Sequence, residues 1–471
     1  MPTRHTTRVL ASAASAAVLS LASLALANPA TQPALPPQAT PPTARVGDAF
    51  TLRLDETLVT ASRIQDRLLD APYMAHVVTD REMRRKLFRT TPESLQEIPG
   101  IMIQKTAYGQ GSPYIRGFTG FRTLFLVDGI RLNNSTFREG PNQYWSTVDN
   151  LSVERLEVVK GPSSVLYGSD AIGGTVNAIT KSPYTYDDGF RVGADLFFRY
   201  ATAENSLVAH PELSLTVDRQ FGAFIAGTYR DYDDLRGGED IGKQQNTGYD
   251  EWSGDVKVEY YVNPNTRLVA AHQRVQQNNV PRTHATIFAE SFDGTTVGTD
   301  LRRDLDQDRE LTYVQIHANE AAPWLTSFSA SVSWQVQSET EDRIRDTGER
   351  RITGSDTGTF GLWTLLHSPS PIGRLSYGFE YYYDTVSSFS SANPIQGPVA
   401  DDAGYHLFGI FLQDTIAITD RLDLVLGGRY TYAKADADSV QDPTTGQRIA
   451  IDDSWDALVG NIRLDYKLVK V

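Results

Sequence analysis

Cysteine is missing from this chain of 471 residues, so disulfide bonds are excluded and stability has to come from packing and strand pairing. Basic residues are also in deficit, because 44 Lys and Arg face 58 Asp and Glu and leave a net charge of -14. Nucleic-acid phosphates require a basic surface on their partner. The charge balance therefore argues against a nucleic-acid-binding protein.

Long apolar runs are scarce as well. One lies at the N-terminus, and the rest of the sequence has no stretch long enough for a membrane-spanning helix. The mean hydropathy is -0.34, which is too polar for a helical membrane protein. A transmembrane β-barrel is compatible with that value, because its strands are apolar on one face only.

Motifs of known catalytic sites are absent from the sequence. It contains no nucleophile elbow, no Walker A loop and no HExxH, and its histidines are scattered without metal-ligand spacing. The sequence therefore predicts a protein that is not an enzyme and has no certain cofactor.

The N-terminal apolar run has the features of a secretory signal peptide over residues 1–27. Arg4 and Arg8 are followed by an uncharged run over 9–27 that ends in Ala-Leu-Ala, a small-residue cleavage pattern. A membrane anchor is the alternative, although the run is rich in alanine and only weakly apolar. Six prolines then make residues 28–54 an extended linker.

Residues 55–183 combine short strands with turn signals. Asp128-Gly129 lies between two apolar runs, and this dipeptide favours the type I′ turn of a β-hairpin. Alternating apolar and charged residues over 153–159 predict another strand, and 175–180 a further one.

Two short helices are predicted in the same region. Thr79 followed by Glu82 forms a capping-box pattern for the first helix. Thr91-Pro92 predicts the start of the second helix, which we expect to end before Gly100.

From residue 184 onward a period of two dominates the sequence. It is clearest in 328–337, where Phe, Ala, Val and Trp alternate with Ser and Gln, and it recurs in 190–200 and 421–430. We predict twelve strands, joined alternately by short turns and long polar segments. That rhythm indicates an antiparallel transmembrane β-barrel over residues 184–471 rather than a Greek-key sandwich. The long segments are predicted near 231–250, 276–310, 338–357, 388–403 and 434–454.

Several phrases of the first region resemble the plug domain of TonB-dependent outer-membrane receptors, in the family's order and at its spacing. The phrases are Ile98-Pro99-Gly100, Ile115-Arg116-Gly117, Val127-Asp128-Gly129, Val159-Lys160-Gly161-Pro162, Leu166-Tyr167-Gly168 and Gly173-Gly174. Each phrase alone is weak, but the ordered set is specific. The resemblance implies a mainly β protein with an α+β plug domain inside an antiparallel transmembrane β-barrel.

The barrel of such receptors has about twenty-two strands, and the residues after 183 supply about twelve. The last residues also differ from the aromatic-ended final strand that is typical of outer-membrane proteins. A closed barrel of twelve strands would be too narrow to hold the plug. We therefore expect an incomplete barrel, and a non-transporting product of a disrupted gene is one alternative to a working receptor.

The resemblance also implies a contact with the periplasmic protein TonB through a short TonB box. Such a segment adds as a strand to the sheet edge of its partner, which requires a flexible and β-prone backbone. An ordinary first strand of the plug is the alternative. The matching residues are Glu56, Thr57, Leu58, Val59, Thr60 and Ala61.

For the ligand, the resemblance points to plug loops 108–112 and 133–145 at the outer surface. These loops offer aromatic faces and amides, although the same side chains could pack against the barrel wall. The candidate substrate-binding residues are Tyr108, Gln110, Arg138, Asn142, Gln143 and Tyr144.

An acidic loop is a candidate calcium site, because the matching loop binds calcium in some cobalamin receptors. A solvated acidic loop is the alternative. The residues concerned are Asp231, Asp233, Asp234, Glu239 and Asp240.

These features together predict a monomeric receptor in the outer membrane of a Gram-negative-type bacterium, in contact with its lipid. We expect it to import a scarce ligand, namely a ferric siderophore, haem or cobalamin, with energy from the inner-membrane TonB complex. A surface adhesin or signalling receptor that uses the long loops is an alternative from another class. The sequence does not choose among the ligands.

Overall fold

The structure is a computed structural model that describes residues 74–183, 188–239, 241–291 and 296–467, and the backbone of 57–58 and 66–67. The predicted signal peptide (1–27) and linker (28–54) lie outside the described residues. From Leu54 onward the chain forms one unit.

Two short strands, β1 (Thr57–Leu58) and β2 (Asp66–Arg67), pair with each other ahead of an α+β region that spans 74–183 and is called the plug region below. Five of its strands form a sheet in the order β3-β8-β9-β6-β7, where only β6 and β9 run parallel, and β4 pairs with β5. The elements are β3 (Met74–Thr79), α1 (Asp80–Lys86), β4 (Ile101–Ala107), β5 (Gln110–Ile115), β6 (Thr123–Val127), β7 (Ile130–Arg131), β8 (Val153–Lys160), α2 (Ser164–Tyr167) and β9 (Gly174–Thr180).

An apolar core joins this sheet to the segments around it. Phe125 on β6 packs against Trp145 with ring centroids 4.4 Å apart, and Leu95 and Val158 are buried in the same cluster. Burial of each such side chain stabilises the fold by about 2 kcal/mol. Val269, Ala271, Leu311 and Tyr313 of the long strands described below belong to the same cluster, so this core extends beyond the plug region.

The predicted hairpin is confirmed. Val127 pairs with Ile130, and the two turn residues Asp128 and Gly129 have φ angles of 49° and 80°. Both angles are positive, as a type I′ turn requires.

Both predicted helix starts are confirmed, at Thr79 and at Thr91-Pro92, but the second element is shorter than predicted. Thr79 and Glu82 cap α1 reciprocally, with the Thr79 N–H donating to the Glu82 carboxylate at 3.1 Å. The second predicted helix is a single 3₁₀ turn, Pro92–Leu95, because the Thr91 hydroxyl donates to the carbonyl oxygen of Val148 and does not cap the turn. None of the helices in the described part of the chain is long and apolar enough to cross a bilayer.

The twelve predicted strands are confirmed as one antiparallel sheet, called the wall sheet, in which each strand pairs with its neighbours in sequence. Within the described residues, β10 and β21 are its two edges. The strands are β10 (Phe190–Ala201), β11 (Ser206–Val217), β12 (Phe221–Tyr232), β13 (Tyr249–Asn263), β14 (Thr266–Pro281), β15 (Arg302–Ala322), β16 (Leu325–Ile344), β17 (Arg350–Pro369), β18 (Gly373–Ser390), β19 (Asp401–Thr419), β20 (Leu422–Gln441) and β21 (Arg448–Tyr466).

Several strands extend into segments that the sequence predicted as long loops. The segment predicted as a loop over 338–357 is mostly the continuation of β16 and β17, which leaves only 345–349 as a connection. Side chains there are polar on both faces, so the alternation disappears while the backbone ladder continues. Arg303 on β15 pairs with Glu341 on β16 at 3.0 Å across the two strands. We call this end of the sheet the long-loop end.

The two faces of the wall sheet differ in polarity. On β16, Ser331, Ser333 and Gln335 are buried and face the plug region, whereas Val332 and Trp334 are about half exposed on the other face. A period of two places these sets on opposite faces. The plug region thus lies on the polar face of the sheet, and the apolar face remains uncovered.

The hairpin turn provides a test of this fold. We expect Gly129→Ala to lower the free energy of unfolding by about 1–2 kcal/mol, because its φ of 80° is unfavourable for an L side chain. Gly140→Ala is the control, since its added Cβ meets no atom within 4 Å. Urea titration in detergent, followed by protease cleavage of the plug region, would measure both. Equal midpoints for the two variants would contradict the assigned turn.

Candidate functional site

Asp149 of the plug region forms a buried ion pair with the wall sheet. Its carboxylate accepts hydrogen bonds from Arg230 on β12 and from the Ser253 hydroxyl on β13, the latter at 2.6 Å. Thr228 on β12 donates another hydrogen bond to it. Arg230 also pairs with Glu251, and both Asp149 and Arg230 are less than 5% exposed. One buried guanidinium is therefore shared by two buried carboxylates, one from the plug region and one from the wall sheet.

Charge and burial act in opposite directions on this carboxylate. Burial raises the pKa of Asp149, because an ionised carboxylate is costly to remove from water. The neighbouring Arg230 guanidinium, His210 and the hydrogen bonds from the Ser253 and Thr228 hydroxyls together outweigh burial and hold the pKa well below its usual range. Asp149 is thus a permanent negative charge in the folded protein.

Asp128 in the hairpin turn is a second anchor. Its carboxylate lies 3.3 Å from the Lys257 ammonium, and the Tyr313 hydroxyl donates to it at 2.6 Å. The side-chain amide of Gln315 donates to its backbone oxygen at 2.9 Å. Burial raises the pKa of Asp128, but Lys257 and the hydrogen bonds of Thr180 and Tyr313 lower it overall. The sequence showed Asp128 only as a turn residue.

Further polar contacts complete the attachment of the plug region. Arg84 on α1 pairs with Asp195 on β10 at 2.6 Å and also with Glu212 on β11. Arg309 on β15 is buried and donates to the carbonyl oxygen of Thr147 at 3.2 Å. The contacts between the plug region and the wall sheet thus include ion pairs and hydrogen bonds from strands along much of the sheet.

Two of the predicted substrate-binding residues, Tyr108 and Gln110, are buried. The Tyr108 ring packs edge-on against Tyr232 and Tyr249 of the wall sheet, with centroids 5.2 and 5.9 Å away, and the Arg89 guanidinium lies 4.7 Å from it. Gln110 is 1% exposed. Both side chains are therefore positioned to fix the loop rather than to meet a ligand directly.

The other predicted substrate-binding residues converge partly on one carboxylate. Arg138 and the Gln143 amide both donate to Glu339 on β16. Asn142 and Tyr144 are buried, whereas the Arg138 side chain is 38% exposed. Packing against the wall, the alternative considered for these residues, describes most of the set. Their role in ligand binding stays a prediction.

The predicted TonB box is only partly described. Thr57 pairs with Arg67 and Leu58 with Asp66 in the β1–β2 ladder. Glu56 and 59–61 lie outside the described residues. The role of this segment stays a prediction as well.

The acidic loop has partners other than a metal. Lys243 lies 3.6 Å from Asp233 and 3.5 Å from Asp234, and the Thr247 N–H donates to Asp234 at 3.0 Å. Asp231 lies near the end of β12, and Glu239 is exposed. Asp240 lies outside the described residues. Among the residues described, no group of three or more potential ligands could hold a metal ion, so the calcium site stays a prediction.

A cavity of about 420 Å³ opens at the long-loop end between the plug region and β18 to β21. We call it the outer cavity. Sequence reasoning missed it, because its two sides come from residues more than two hundred positions apart. One signal in the sequence could have indicated it. Tyrosine and tryptophan occupy positions of β18, β19 and β21 that face the plug region, where the alternation otherwise places polar residues. Its lining includes Arg131, Asp170, Tyr382, Asp384, Tyr405 and Trp455.

Two family models match this chain. The model of the TonB-dependent Receptor Plug Domain matches residues 67–175, and the model described as TonB dependent receptor-like, beta-barrel matches residues 228–470, which is more than half of the chain. The chain belongs to the TonB-dependent receptor family. Members of this family are outer-membrane transporters and receptors, which agrees with the prediction that the protein is not an enzyme.

Two curated relatives are similar to parts of this chain. The vitamin B12 transporter BtuB of Vibrio vulnificus is 36% identical over 131 residues, which cover 27% of this chain and 21% of the transporter. The iron-regulated outer membrane virulence protein of Vibrio cholerae is 25% identical over 81% of this chain and 55% of its own length. The receptor chain thus spans about half the length of the relative that it matches most extensively.

A solved structure shows the same fold. The copper transporter OprC superimposes with a TM-score of 0.68 at 16% identity, over 84% of this chain and 61% of that transporter. At this level of identity the similarity concerns the fold alone. It supports the arrangement of a plug region against a sheet of long antiparallel strands.

The Asp149 ion pair generates a mutational prediction. We expect Asp149→Asn to lower the free energy of unfolding of the plug region by about 2 kcal/mol, because the hydrogen bonds from Arg230, Ser253 and Thr228 lose their charged acceptor, although Arg230 keeps Glu251 as a partner. Glu139→Gln is the matched control, since it removes the exposed partner of Arg122 and should cost less than about 1 kcal/mol. Hydrogen exchange of the amides near residue 149 would measure both effects, and similar losses would contradict the anchor.

The same carboxylate predicts an acid-dependent weakening. The folded pKa of Asp149 is depressed, so its stabilisation is fully present above the ordinary aspartate pKa of about 4 and is lost as the pH falls below that value. Asp128 contributes with the same sign. We expect the contribution of these two carboxylates to plug protection to be constant from about pH 8 to 5 and to fall below about pH 4. The fall should be shallower in Asp149→Asn, and an equal slope would count against Asp149 as its source.

Proposed function

We propose that this chain is part of a receptor that imports a scarce ligand across the outer membrane of a Gram-negative-type bacterium, with energy delivered through TonB. The ligand classes are a ferric siderophore, haem or cobalamin. Family membership and the relatives named for vitamin B12 transport and iron regulation support this proposal. The binding of TonB itself is part of the proposal.

The observation that carries the proposal is the polar attachment of the plug region. A plug that only closed a pore could be sealed by an apolar core, which would not separate without exposing that core to water. Here the contact combines apolar side chains with the Asp149–Arg230 and Asp128–Lys257 ion pairs, whose members are chemically suited to water once separated. The attachment therefore suits a plug that moves and returns.

Movement of this plug region requires an energy source. Breaking one buried ion pair costs about 3–5 kcal/mol, so breaking two together is rare by thermal motion alone. The β3 strand is the edge of the plug sheet and pairs only with β8, and it follows the segment that contains the predicted TonB box. A pull on that segment would act first on β3.

The ligand is proposed to bind at the long-loop end, in the outer cavity and near the plug loop 133–145. Arg138 is the member of the predicted substrate-binding set that keeps substantial exposure there. Tyr108, Gln143 and Tyr144 are proposed to have no direct contact with the ligand. They hold the plug loops against the wall sheet, and their contacts would change if the plug region moved.

Proline substitution in the predicted TonB box tests this function. We expect Val59→Pro to abolish ligand uptake while binding at the cell surface is retained, because proline removes a backbone donor and prevents strand addition. Gln38→Pro is the control in the proline-rich linker and should leave uptake unchanged. Uptake and surface binding of labelled ferric complexes and cobalamin would be measured in cells that produce the full-length receptor.

The outcomes separate import from the adhesin or signalling alternative. Uptake that continues in Val59→Pro would contradict a TonB-driven transporter. Loss of surface binding together with uptake would indicate misfolding of the variant, which the protease protection of the plug region would reveal independently.

A further inference from the structure

The charges that line the outer cavity are unequal. Asp170, Asp384 and Asp436 are acidic, and Arg131 is the basic residue among them. Arg131 is 4% exposed, pairs with Asp170 and donates to the carbonyl oxygen of Tyr167 at 2.9 Å. The positive charge of Arg131 is therefore compensated by Asp170 within the plug region, so Arg131 is not a binding group for an anionic ligand.

Asp384 on β18 is held by neutral donors. The backbone N–H of Ser135 donates to it at 2.7 Å and the Thr359 hydroxyl at 2.8 Å. Among the described residues, no lysine or arginine forms an ion pair with this carboxylate. Asp384 is 2% exposed and thus mainly fixes the plug loop beside the cavity.

The aromatic side chains of the lining also favour a cationic ligand. Tyr382, Tyr405 and Trp455 line the cavity, and the faces of such rings attract cations. The Arg131 guanidinium already lies 5.8 Å from the centre of the Tyr382 ring. Trp455 is 53% exposed and offers a free face for a ligand.

The rim next to the cavity is strongly acidic. The long-loop ends of β19, β20 and β21 and their connection carry many aspartates, and only Lys434 and Arg448 oppose them. Asp452 pairs with Lys434 at 2.8 Å, but it also lies directly opposite Asp436 in the ladder, where like charges repel. The aspartates of this acidic rim are Asp401, Asp402, Asp436, Asp438, Asp442, Asp452 and Asp453.

The long-loop ends of β15 to β17 are different, because their carboxylates are paired with arginines. Arg302 lies 3.2 Å from Asp342, and Arg303 lies 3.0 Å from Glu341. The negative potential is therefore concentrated on the β19–β21 side, which is the side that forms the outer cavity.

We infer that the outer cavity takes a ligand of net positive charge, with ammonium groups that face the acidic rim and the aromatic lining. This inference rests on the proposed import function. A cleft of one sign of charge concentrates ligands of the opposite sign and raises their rate of association. It disfavours a polyanionic iron complex or a ligand bound through carboxylates, because the two arginines in the described part of the site are already paired, Arg131 with Asp170 and Arg138 with Glu339.

Three ferric complexes test this inference with the full-length receptor in detergent. The first is a linear trihydroxamate complex that carries one free ammonium group, the second is the same complex with that amine acetylated, and the third is a triscatecholate complex with three negative charges. Acetylation removes the charge and little else. At low ionic strength we expect the cationic complex to bind about tenfold more tightly than its acetylated form, with weaker binding still for the triscatecholate.

Salt and rim variants show whether the charge is responsible. The preference should shrink in about 0.5 M salt, where screening acts over a few ångströms. It should also shrink in the double variant Asp438→Asn with Asp453→Asn, which removes two exposed rim charges. The control is Asp346→Asn with Glu349→Gln, which removes two acidic charges from the β16–β17 connection and should keep the preference. Quenching of tryptophan fluorescence would report binding.

The possible failures are distinguishable. Equal or tighter binding of the triscatecholate complex would overturn the charge inference and leave the import function standing. A preference that survives the rim variant would also overturn it. No binding of any of the three complexes, the cationic one included, would contradict both the inference and the proposed import of ferric chelates.

Discussion

A carboxylate enclosed by protein is stable only while a cation and hydrogen-bond donors stay beside it, and this requirement fixes the position of the plug region. Asp149 and Asp128 both come from the plug region, while their cations, Arg230 and Lys257, come from the wall sheet. Neither buried carboxylate of the plug region has its cation within the plug region at these points. The plug region therefore depends on the wall sheet, and the two also share an apolar cluster.

The wall sheet provides the partners because of its alternation. A strand with a period of two presents one polar face and one apolar face, and in this protein the polar face is turned to the plug region. Serine, glutamine and charged side chains on that face meet the turns and loops of the plug region. An interface of this composition is held firmly while it is closed, and its surfaces remain compatible with water when they separate.

The long-loop end has paired charges on one side and an excess of acidic residues on the other. On β15 and β16, arginines and carboxylates pair across the strands, so that polar strands continue the ladder beyond the alternating part. On β19 to β21, aspartates are present without an equal number of cations. The protein thus concentrates its negative potential beside the outer cavity, where the plug region leaves space.

The sequence by itself determined the local features, because these depend on neighbouring residues. The Asp128-Gly129 turn, the Thr79–Glu82 capping box and the twelve strands were predicted correctly, since turn chemistry, capping and alternation are all short-range signals. The second helix was predicted too long and is a single 3₁₀ turn, because the Thr91 hydroxyl bonds to Val148, far along the chain. The ends of the strands were also misplaced, because a backbone ladder continues where side-chain alternation has stopped.

Only the tertiary structure decided which residues meet. It buried Tyr108 and Gln143 against the wall, paired Asp149 with Arg230, and assembled the outer cavity from residue 131 and from residues near 384 and 455. Such contacts join positions that are separated by tens to hundreds of residues. Their partners are set by the register of the wall strands and by the placement of the plug region, and no pattern within a short stretch of sequence encodes either.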